Sequence, residues 1–149
     1  MNSRADKLLL LRTEVGRLRL AGEHLTWSLQ RCLPLAARLP WSAEDLERLE
    51  SMASRFARLS DLLIQRVMRL ADELSLESPG SLLDRIHRAE KRGWVDKDGD
   101  LVRVRELRNL IAHEYEDEDL VQLYGEVLRL APVLLSAVPR VLAWSLQPR

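Results

Sequence analysis

Four polar side chains close to position 110 are of types that do chemistry in proteins: Arg108, Asn109, His113 and Tyr115. An arginine presents a fixed fork of hydrogen-bond donors to an anion. A histidine, with an ordinary pKa of about 6.5, can transfer a proton near neutral pH. An arginine and a histidine together therefore suit acid–base work on an anionic substrate, provided that the fold brings them together.

The stretch that carries these residues, Arg105–Tyr115, reads R-E-L-R-N-L-I-A-H-E-Y and predicts one helix. A mostly apolar stripe repeats along it at intervals of three and four residues, which is the spacing of one buried helical face. The members of this predicted inward stripe are Leu107, Leu110, Ile111 and Glu114.

On such a helix the polar residues occupy different rows. Asn109 and His113 lie four apart on one face, and Arg108 and Tyr115 lie seven apart along another. Arg108 and His113 are five apart, so their directions diverge by roughly 140° around the helix axis. They cannot meet comfortably on one isolated helix, whereas a second copy related by two-fold symmetry would help them to meet. If these residues form a site, we expect it at the interface of a homodimer.

A simpler interpretation of the same residues is a capped, partly buried helix end, in which His113 and Tyr115 pack against the following helix. A bare R-x-x-x-x-H spacing favours this interpretation. The pattern here is longer, because Asn109 follows the arginine and Tyr115 stands two residues beyond the histidine.

The length of 149 residues predicts a single domain, spanning 1–149, that can bury a sizeable core. A hydrophobic content of 46% and a charged content of 31% are typical of a soluble globular protein. The 23 basic and 23 acidic side chains give a formal net charge of zero. This balance argues against a broadly basic protein that binds any nucleic acid, and it is compatible with a local basic patch.

The single cysteine, Cys32, excludes an internal disulfide and a multi-cysteine zinc site, and it favours a reducing compartment. The N-terminal apolar run Leu8–Leu11 is too short for the core of a signal peptide. We expect no stretch that approaches a membrane-spanning length. The sequence therefore predicts a cytoplasmic protein without membrane contact.

Helical periodicity predicts an all-α, up-and-down bundle of four to five helices. The first helix is expected over about residues 4–37, with Pro34 bending or ending it. The second begins after Ser42, which forms a capping box with Asp45, and runs to about residue 77. The predicted inward positions of the first helix include Leu10, Val15, Leu18, Leu25 and Leu29.

Ser81 and Asp84 predict the start of a third, shorter helix through Arg92, and Gly93 suits the position after its end. A turn anchored by Trp94 follows. Its acidic run resembles the start of an EF-hand calcium loop, but the required Gly and Glu positions hold leucines, so an ordinary turn is predicted.

The fourth helix, at about residues 101–115, carries the polar residues described first. The acidic segment 116–119 suits the N-terminus of a fifth helix. That helix should continue to about Trp144, with kinks at Pro132 and Pro139.

The three histidines, His24, His87 and His113, have no spacing typical of a metal site, so no metal is predicted. We interpret His24 as structural. His87 lies on a basic face of the third helix, which could contact phosphates, although charged helix faces are usually only solvated.

The segment RNLIAHEY resembles the R-x-x-x-x-H-x-Y motif of the HEPN superfamily, in the branch of HepT-like toxins and nucleotidyltransferase-associated helical proteins. The similarity extends to SRFARLSDLL, to SPGSLLDRIHRAEKRGWVD and to the YEDEDL that follows the motif. It covers roughly residues 53–130 and implies a HEPN-like helical domain.

The resemblance implies that Arg108 and His113 from two protomers form a metal-independent ribonuclease site that uses no cofactor. His113 would take the proton of a ribose 2′-hydroxyl, and Arg108 would offset the charge that builds on the attacked phosphate. The product would be a 2′,3′-cyclic phosphate. Asn109 would orient the imidazole ring or a phosphate oxygen. Basic residues that could contact the RNA are Arg85, Arg88, Lys91 and Arg105.

The resemblance further implies the toxin of a toxin–antitoxin pair, in which a nucleotidyltransferase antitoxin attaches AMP to Tyr115. Each AMP would add charge and bulk beside His113 and repel an RNA backbone. The alternative for Tyr115 is an aromatic side chain that packs on Leu120 or Leu123.

Two other functions stay open at this point. One is a non-catalytic, nucleotide- or partner-binding subunit of a nucleotidyltransferase complex, in which Arg108 and His113 hold a nucleotide or an interface. The other is a helical scaffold dimer with no ligand. A fold alone would not decide among them.

Overall fold

The computed structural model describes residues 3–113 and 119–148, and within these ranges the chain is helical with no strand. The described residues form five helices when a π-helical stretch inside the second helix is counted as part of it, so the predicted all-α bundle of four to five helices is confirmed. The helices are α1, Arg4–Cys32; α2, which runs through Ala43–Asp61, a π-helical stretch Leu62–Val67 and Met68–Leu74; α3, Leu82–Lys91; α4, Asp100–Ala112; and α5, Leu120–Ser145.

Each of the first three helices begins at a capping box, in which a serine hydroxyl accepts from a backbone N–H and an aspartate accepts from the serine N–H. Caps of this kind stabilise a helix by about 1 kcal/mol. The boxes at the starts of α2 and α3 were predicted from the sequence and are confirmed. The three pairs are Ser3 with Asp6, Ser42 with Asp45, and Ser81 with Asp84.

Proline and glycine set two of the helix ends. The first helix was expected to reach residue 37, but α1 ends at Cys32, and a 3-10 helix, Leu33–Ala37, continues the chain around Pro34. Proline has no N–H to donate to the preceding turn, so the α-helical pattern stops there. Gly93 follows α3 with φ of 79°, the left-handed conformation that glycine adopts without strain. It thus takes the predicted position.

Helices α1 and α2 form the antiparallel hairpin that their short connection predicts. Arg66 donates to Glu14 near one end, and the Cys32 thiol donates to the Arg48 carbonyl near the other. Most predicted inward residues of α1 are buried, but Leu10 is 40% exposed. It precedes the buried Leu11, and consecutive residues point about 100° apart around a helix, so both cannot face the core.

Helix α5 packs on α1, α2 and α4 and carries Pro132 and Pro139 within its length. It is also the one helix in the described ranges that is long and apolar enough to cross a membrane, with a mean hydropathy of 1.5. The expectation that no stretch approaches this length was therefore wrong. In the bundle, one face of α5 is buried against the other helices, which accounts for much of its apolar character.

The turn before α4 is fixed by a buried aromatic pair. Trp94 is fully buried, and its ring meets that of Trp144 edge to face at 5.5 Å between ring centroids. Glu90 accepts a hydrogen bond of 2.6 Å from the N–H of Gly99, the residue that precedes α4. The predicted apolar anchor is confirmed, and these contacts determine where α4 begins.

Candidate functional site

Helix α4 ends one residue before His113, so the prediction of a helix through residue 115 was wrong. His113 has φ of −90° and ψ of 152°, an extended conformation, and its side chain is exposed. It therefore does not stack on Asn109 as a helical neighbour. Acidic residues dominate positions 114–119, and negative charge is unfavourable at a helix C-terminus, which explains the early end. Glu114 and Tyr115 lie outside the described residues.

Arg108 is held by a carboxylate that the sequence analysis did not identify. Its Nε donates to Oδ1 of Asp61 at 2.6 Å, and its Nη2 donates to Oδ2 at 2.8 Å. This bidentate pair raises the pKa of Arg108 above its ordinary value, mainly through the hydrogen bonds with Asp61. The two side chains are 29% and 40% exposed, so the pair lies at the surface.

Asp61 was missed because it belongs to α2, 47 residues before Arg108, and no local spacing links the two. The signal for it lies within α2: Asp61 is the last residue before the π-helical stretch. Such wide turns occur often at functional sites, since they shift the register of the side chains that follow.

Arg108 opens into a groove between α2 and α4 that we call the arginine groove. It has a volume of about 470 Å³. Arg105 and Asn109 also line it, and both are exposed, so the predicted contact residue and the predicted supporting residue lie beside Arg108. The remaining lining residues come from α2: Ser60, Asp61, Ile64, Gln65 and Arg66.

His113 opens into a different groove, between α4 and α5, which we call the histidine groove. Its volume is about 270 Å³. It is lined by Leu107, Leu110, His113, Asp119, Gln122, Leu123 and Glu126. Among the described residues the two grooves share no lining residue, so Arg108 and His113 open into separate grooves of one chain.

An exposed apolar side chain, Leu110, lines the histidine groove together with His113. Leu110 was predicted to face inward and is 56% exposed, whereas Leu107 is buried and Ile111 is half-buried. The inward stripe is therefore narrower than predicted, since no neighbouring helix covers Leu110 among the described residues. Val121, at the start of α5, is 49% exposed.

The basic face of α3 is partly occupied by ion pairs. Arg88 donates to Asp72 at 3.0 Å and lies 3.7 Å from Glu77. Arg85 is half-buried and Lys91 is exposed. Of the three residues suggested for RNA contact on this face, Arg88 is therefore already committed to carboxylates within the chain.

The other two histidines lie away from Arg108. His87 is exposed on α3, as expected for a solvated face. His24 was interpreted as structural, and this was wrong: it is exposed and lines a groove between α1 and α2. Among the described residues no group of three or more histidine, cysteine or acidic side chains is arranged to hold a metal ion.

Comparisons of this chain with protein-family models, with curated proteins and with solved structures found no match. The similarity to HEPN proteins therefore rests on the motif and segments quoted above.

Proposed function

We propose that the protein is a HEPN-type, metal-independent endoribonuclease whose site is completed by two copies of the chain. It acts as the toxin of a toxin–antitoxin pair, and a nucleotidyltransferase antitoxin neutralises it by attaching AMP to Tyr115. The observation that carries the proposal is the separation of Arg108 and His113 into two grooves of one chain. Each groove supplies one of the two groups that the reaction needs.

The surface around His113 supports a contact with a second copy. Leu110, which lines the histidine groove, is 56% exposed. Burying an exposed leucine stabilises a contact by roughly 1.5–3 kcal/mol. A two-fold interface would bury each such side chain twice. In this arrangement the histidine groove of one protomer faces the arginine groove of the other.

Arg108 keeps donors for a substrate while it is paired with Asp61. The pair uses Nε and one hydrogen of Nη2. A guanidinium has five N–H groups, so the two hydrogens of Nη1 and the second hydrogen of Nη2 remain for a phosphate. Asp61 therefore holds the guanidinium plane in place and leaves its outer edge able to bind an anion.

The proposed reaction needs one proton acceptor and one anion binder. His113 takes the proton of the ribose 2′-hydroxyl, and the 2′-oxygen forms a bond to phosphorus. The bond from phosphorus to the 5′-oxygen breaks, and this leaving oxygen takes a proton from solvent. Arg108 stabilises the negative charge on the phosphate in the transition state. The products are a 2′,3′-cyclic phosphate and a 5′-hydroxyl.

The same ion pair gives the alternative function a physical basis. An arginine that Asp61 holds in place can serve as a fixed element of an interface or a nucleotide site, without catalysis. In that case the chain is a non-catalytic binding subunit of a nucleotidyltransferase complex. The wild-type protein then cleaves no RNA, and substitution of Arg108 or His113 causes no change in cleavage.

Cleavage of a defined single-stranded RNA by purified protein tests the nuclease. We expect products with a 2′,3′-cyclic phosphate in the presence of EDTA, and a loss of roughly 10²-fold or more in rate for His113→Ala and for Arg108→Ala. Arg12→Ala is the control, because it removes an exposed basic side chain that lines neither groove and should cleave normally. Equal rates for His113→Ala and wild type would refute the proposal, as would wild-type protein that cleaves no RNA.

Expression in a bacterial host gives a second test. Wild-type protein should arrest growth, and His113→Ala should not. If neither protein arrests growth, the binding-subunit alternative is favoured.

Modification of Tyr115 is tested separately by intact mass spectrometry. After incubation with a candidate nucleotidyltransferase and ATP, the mass should rise in steps of one AMP. The variant Tyr115→Phe should show no rise, since it lacks the hydroxyl that accepts the AMP. A rise in Tyr115→Phe equal to that of wild type would place the modification elsewhere.

A further inference from the structure

A third groove, between α1 and α2, adjoins the arginine groove and carries an excess of positive charge. We call it the basic groove; its volume is about 340 Å³. Arg66 lines both grooves, so it forms the boundary between them. The basic groove is lined by Arg17, Leu20, Ala21, His24, Arg58, Leu62 and Arg66.

The arginines of this groove outnumber the carboxylates that pair with them. Arg17 and Arg66 both donate to Oε1 of Glu14, at 3.0 and 3.3 Å. Glu14 is only 4% exposed, whereas both arginine side chains are 56% exposed. Arg58 is exposed and pairs with no acidic group among the described residues. One buried carboxylate therefore faces three exposed guanidinium groups, in a chain whose formal net charge is zero.

Beyond the basic groove, α2 carries a further arginine, Arg55, one turn before Arg58, and an exposed tryptophan of α1 lies beside it. Trp27 is 57% exposed, whereas the other three tryptophans are buried or half-buried. The Arg55 guanidinium lies 5.8 Å from the centroid of the Trp27 ring, and that of Arg31 lies 4.7 Å from it. Arg55 also donates to the hydroxyl of Ser28 at 2.7 Å, which fixes it against α1. An exposed indole flanked by guanidinium groups can stack on a nucleic-acid base.

A row of arginines that ends at an aromatic ring is typical of proteins that bind single-stranded nucleic acid. From Arg55 to Arg66 the row extends for eleven residues, or about 16 Å at 1.5 Å per residue. We propose that the basic groove binds the backbone of the single-stranded RNA substrate, stacks one of its bases on Trp27, and leads the strand past Arg66 to Arg108. The identity of the strand as substrate rests on the proposed function, whereas the binding surface rests on the groove itself.

Fluorescence anisotropy of a labelled 12-nucleotide oligouridine tests this proposal. The background is His113→Ala, so that no cleavage interferes with binding. Adding Arg58→Gln should weaken binding, and it should reduce the slope of log affinity against log salt by about 0.7, the value for one lost contact with a single strand. The matched control is Arg12→Gln, which removes an exposed arginine that lines neither the basic groove nor the grooves that contain Trp27. It should leave both the affinity and the slope unchanged.

Trp27 is tested in the same background. Trp27→Leu should weaken binding by roughly 5- to 150-fold, which corresponds to the loss of one stacked base. RNA should also quench the tryptophan fluorescence of the parent protein, and this quenching should be smaller in Trp27→Leu. Both side chains are exposed, so neither this substitution nor that of Arg58 should lower the melting temperature.

Three outcomes would overturn the proposal: equal weakening by Arg58→Gln and Arg12→Gln, no weakening by either, or displacement of the RNA by duplex DNA as readily as by unlabelled RNA. Because binding is measured without cleavage, this failure is distinct from that of the nuclease. If cleavage needs Arg108 and His113 but not Arg58, the proposed role of the basic groove is refuted and the proposed nuclease is not. If RNA binding needs Arg58 but the wild-type protein cleaves no RNA, the proposed nuclease is refuted and the RNA-binding groove is not.

Discussion

At the scale of single residues, the ion pair between Arg108 and Asp61 determines what the candidate site can do. A lone arginine side chain has several rotatable bonds, and ordering it costs entropy each time a ligand binds. The two hydrogen bonds from Asp61, of 2.6 and 2.8 Å, hold the guanidinium before any substrate arrives. In the proposed nuclease, Asp61 is thus a positioning residue, which acts through Arg108.

Asp61→Asn tests this role. The amide keeps one acceptor oxygen and loses the charge, so Arg108 is held less firmly and we expect kcat for RNA cleavage to fall by roughly 10-fold to 10²-fold. The pair is partly exposed, so its loss should cost no more than about 1 kcal/mol of stability. The melting temperature should therefore fall by only about 2–4 °C.

The matched control for this prediction is Asp98→Asn, which removes an exposed carboxylate in the turn before α4. It should change neither kcat nor the melting temperature. A normal kcat in Asp61→Asn would show that Arg108 needs no positioning partner.

At the scale of the helices, what the sequence predicts well is where each helix begins. Ser42 with Asp45 and Ser81 with Asp84 are local signals, three residues apart, and both capping boxes are present. The end of α4 depends on the competition between helix propensity and the acidic segment that follows, and periodicity does not report that competition.

Contacts between helices were predicted less well, for a related reason. Asp61 contacts Arg108 only because α2 packs against α4, and no spacing within the sequence encodes that pairing. Leu110 fits the apolar period of α4, yet it is exposed, since periodicity assumes that a neighbouring element covers every apolar position.

The capping box of α2 should make stability depend on pH. Hydrogen bonds from the backbone N–H of Ser42 and then from Arg38 hold the pKa of Asp45 below its ordinary value of 3.8. The ionised carboxylate therefore stabilises the fold above about pH 4, and this contribution is lost as the pH falls through the lowered pKa. In Asp45→Asn the contribution is absent at every pH.

The measurement is the melting temperature of wild type and Asp45→Asn between about pH 6 and pH 2. The wild type should be more stable at the upper end, and the difference should shrink as the pH falls below about 4. Asp98→Asn, which removes a carboxylate without a described partner, should give a difference that does not change with pH. A constant difference for Asp45→Asn would contradict the assigned cause.

At the scale of the whole molecule, the proposed function depends on a second copy of the chain. The arginine groove and the histidine groove lie on different sides of α4, and they share no lining residue among those described. The sequence indicated this division, since a separation of five residues points two side chains roughly 140° apart on a helix. It did not indicate that His113 would lie beyond the helix end.

Leu110→Glu should weaken the proposed dimer. It places a charge in a contact that would otherwise bury an apolar side chain, so we expect dimerisation to weaken by roughly 10- to 100-fold. Sedimentation velocity over a range of concentrations measures this. The control is Leu33→Glu, also at an exposed leucine, in the 3-10 helix at the end of the bundle near Arg48. A wild-type protein that sediments as a monomer at all concentrations would contradict the proposed assembly.

The most direct test of the shared site mixes two inactive variants, Arg108→Ala and His113→Ala, under conditions that allow protomers to exchange. If the site combines an arginine from one copy with a histidine from the other, each mixed dimer regains one intact site. Half of the dimers are mixed and half of their sites are intact, so RNA cleavage should return to about a quarter of the wild-type rate. A mixture as inactive as either variant alone, beside an active wild type, would show that the two residues do not act across an interface.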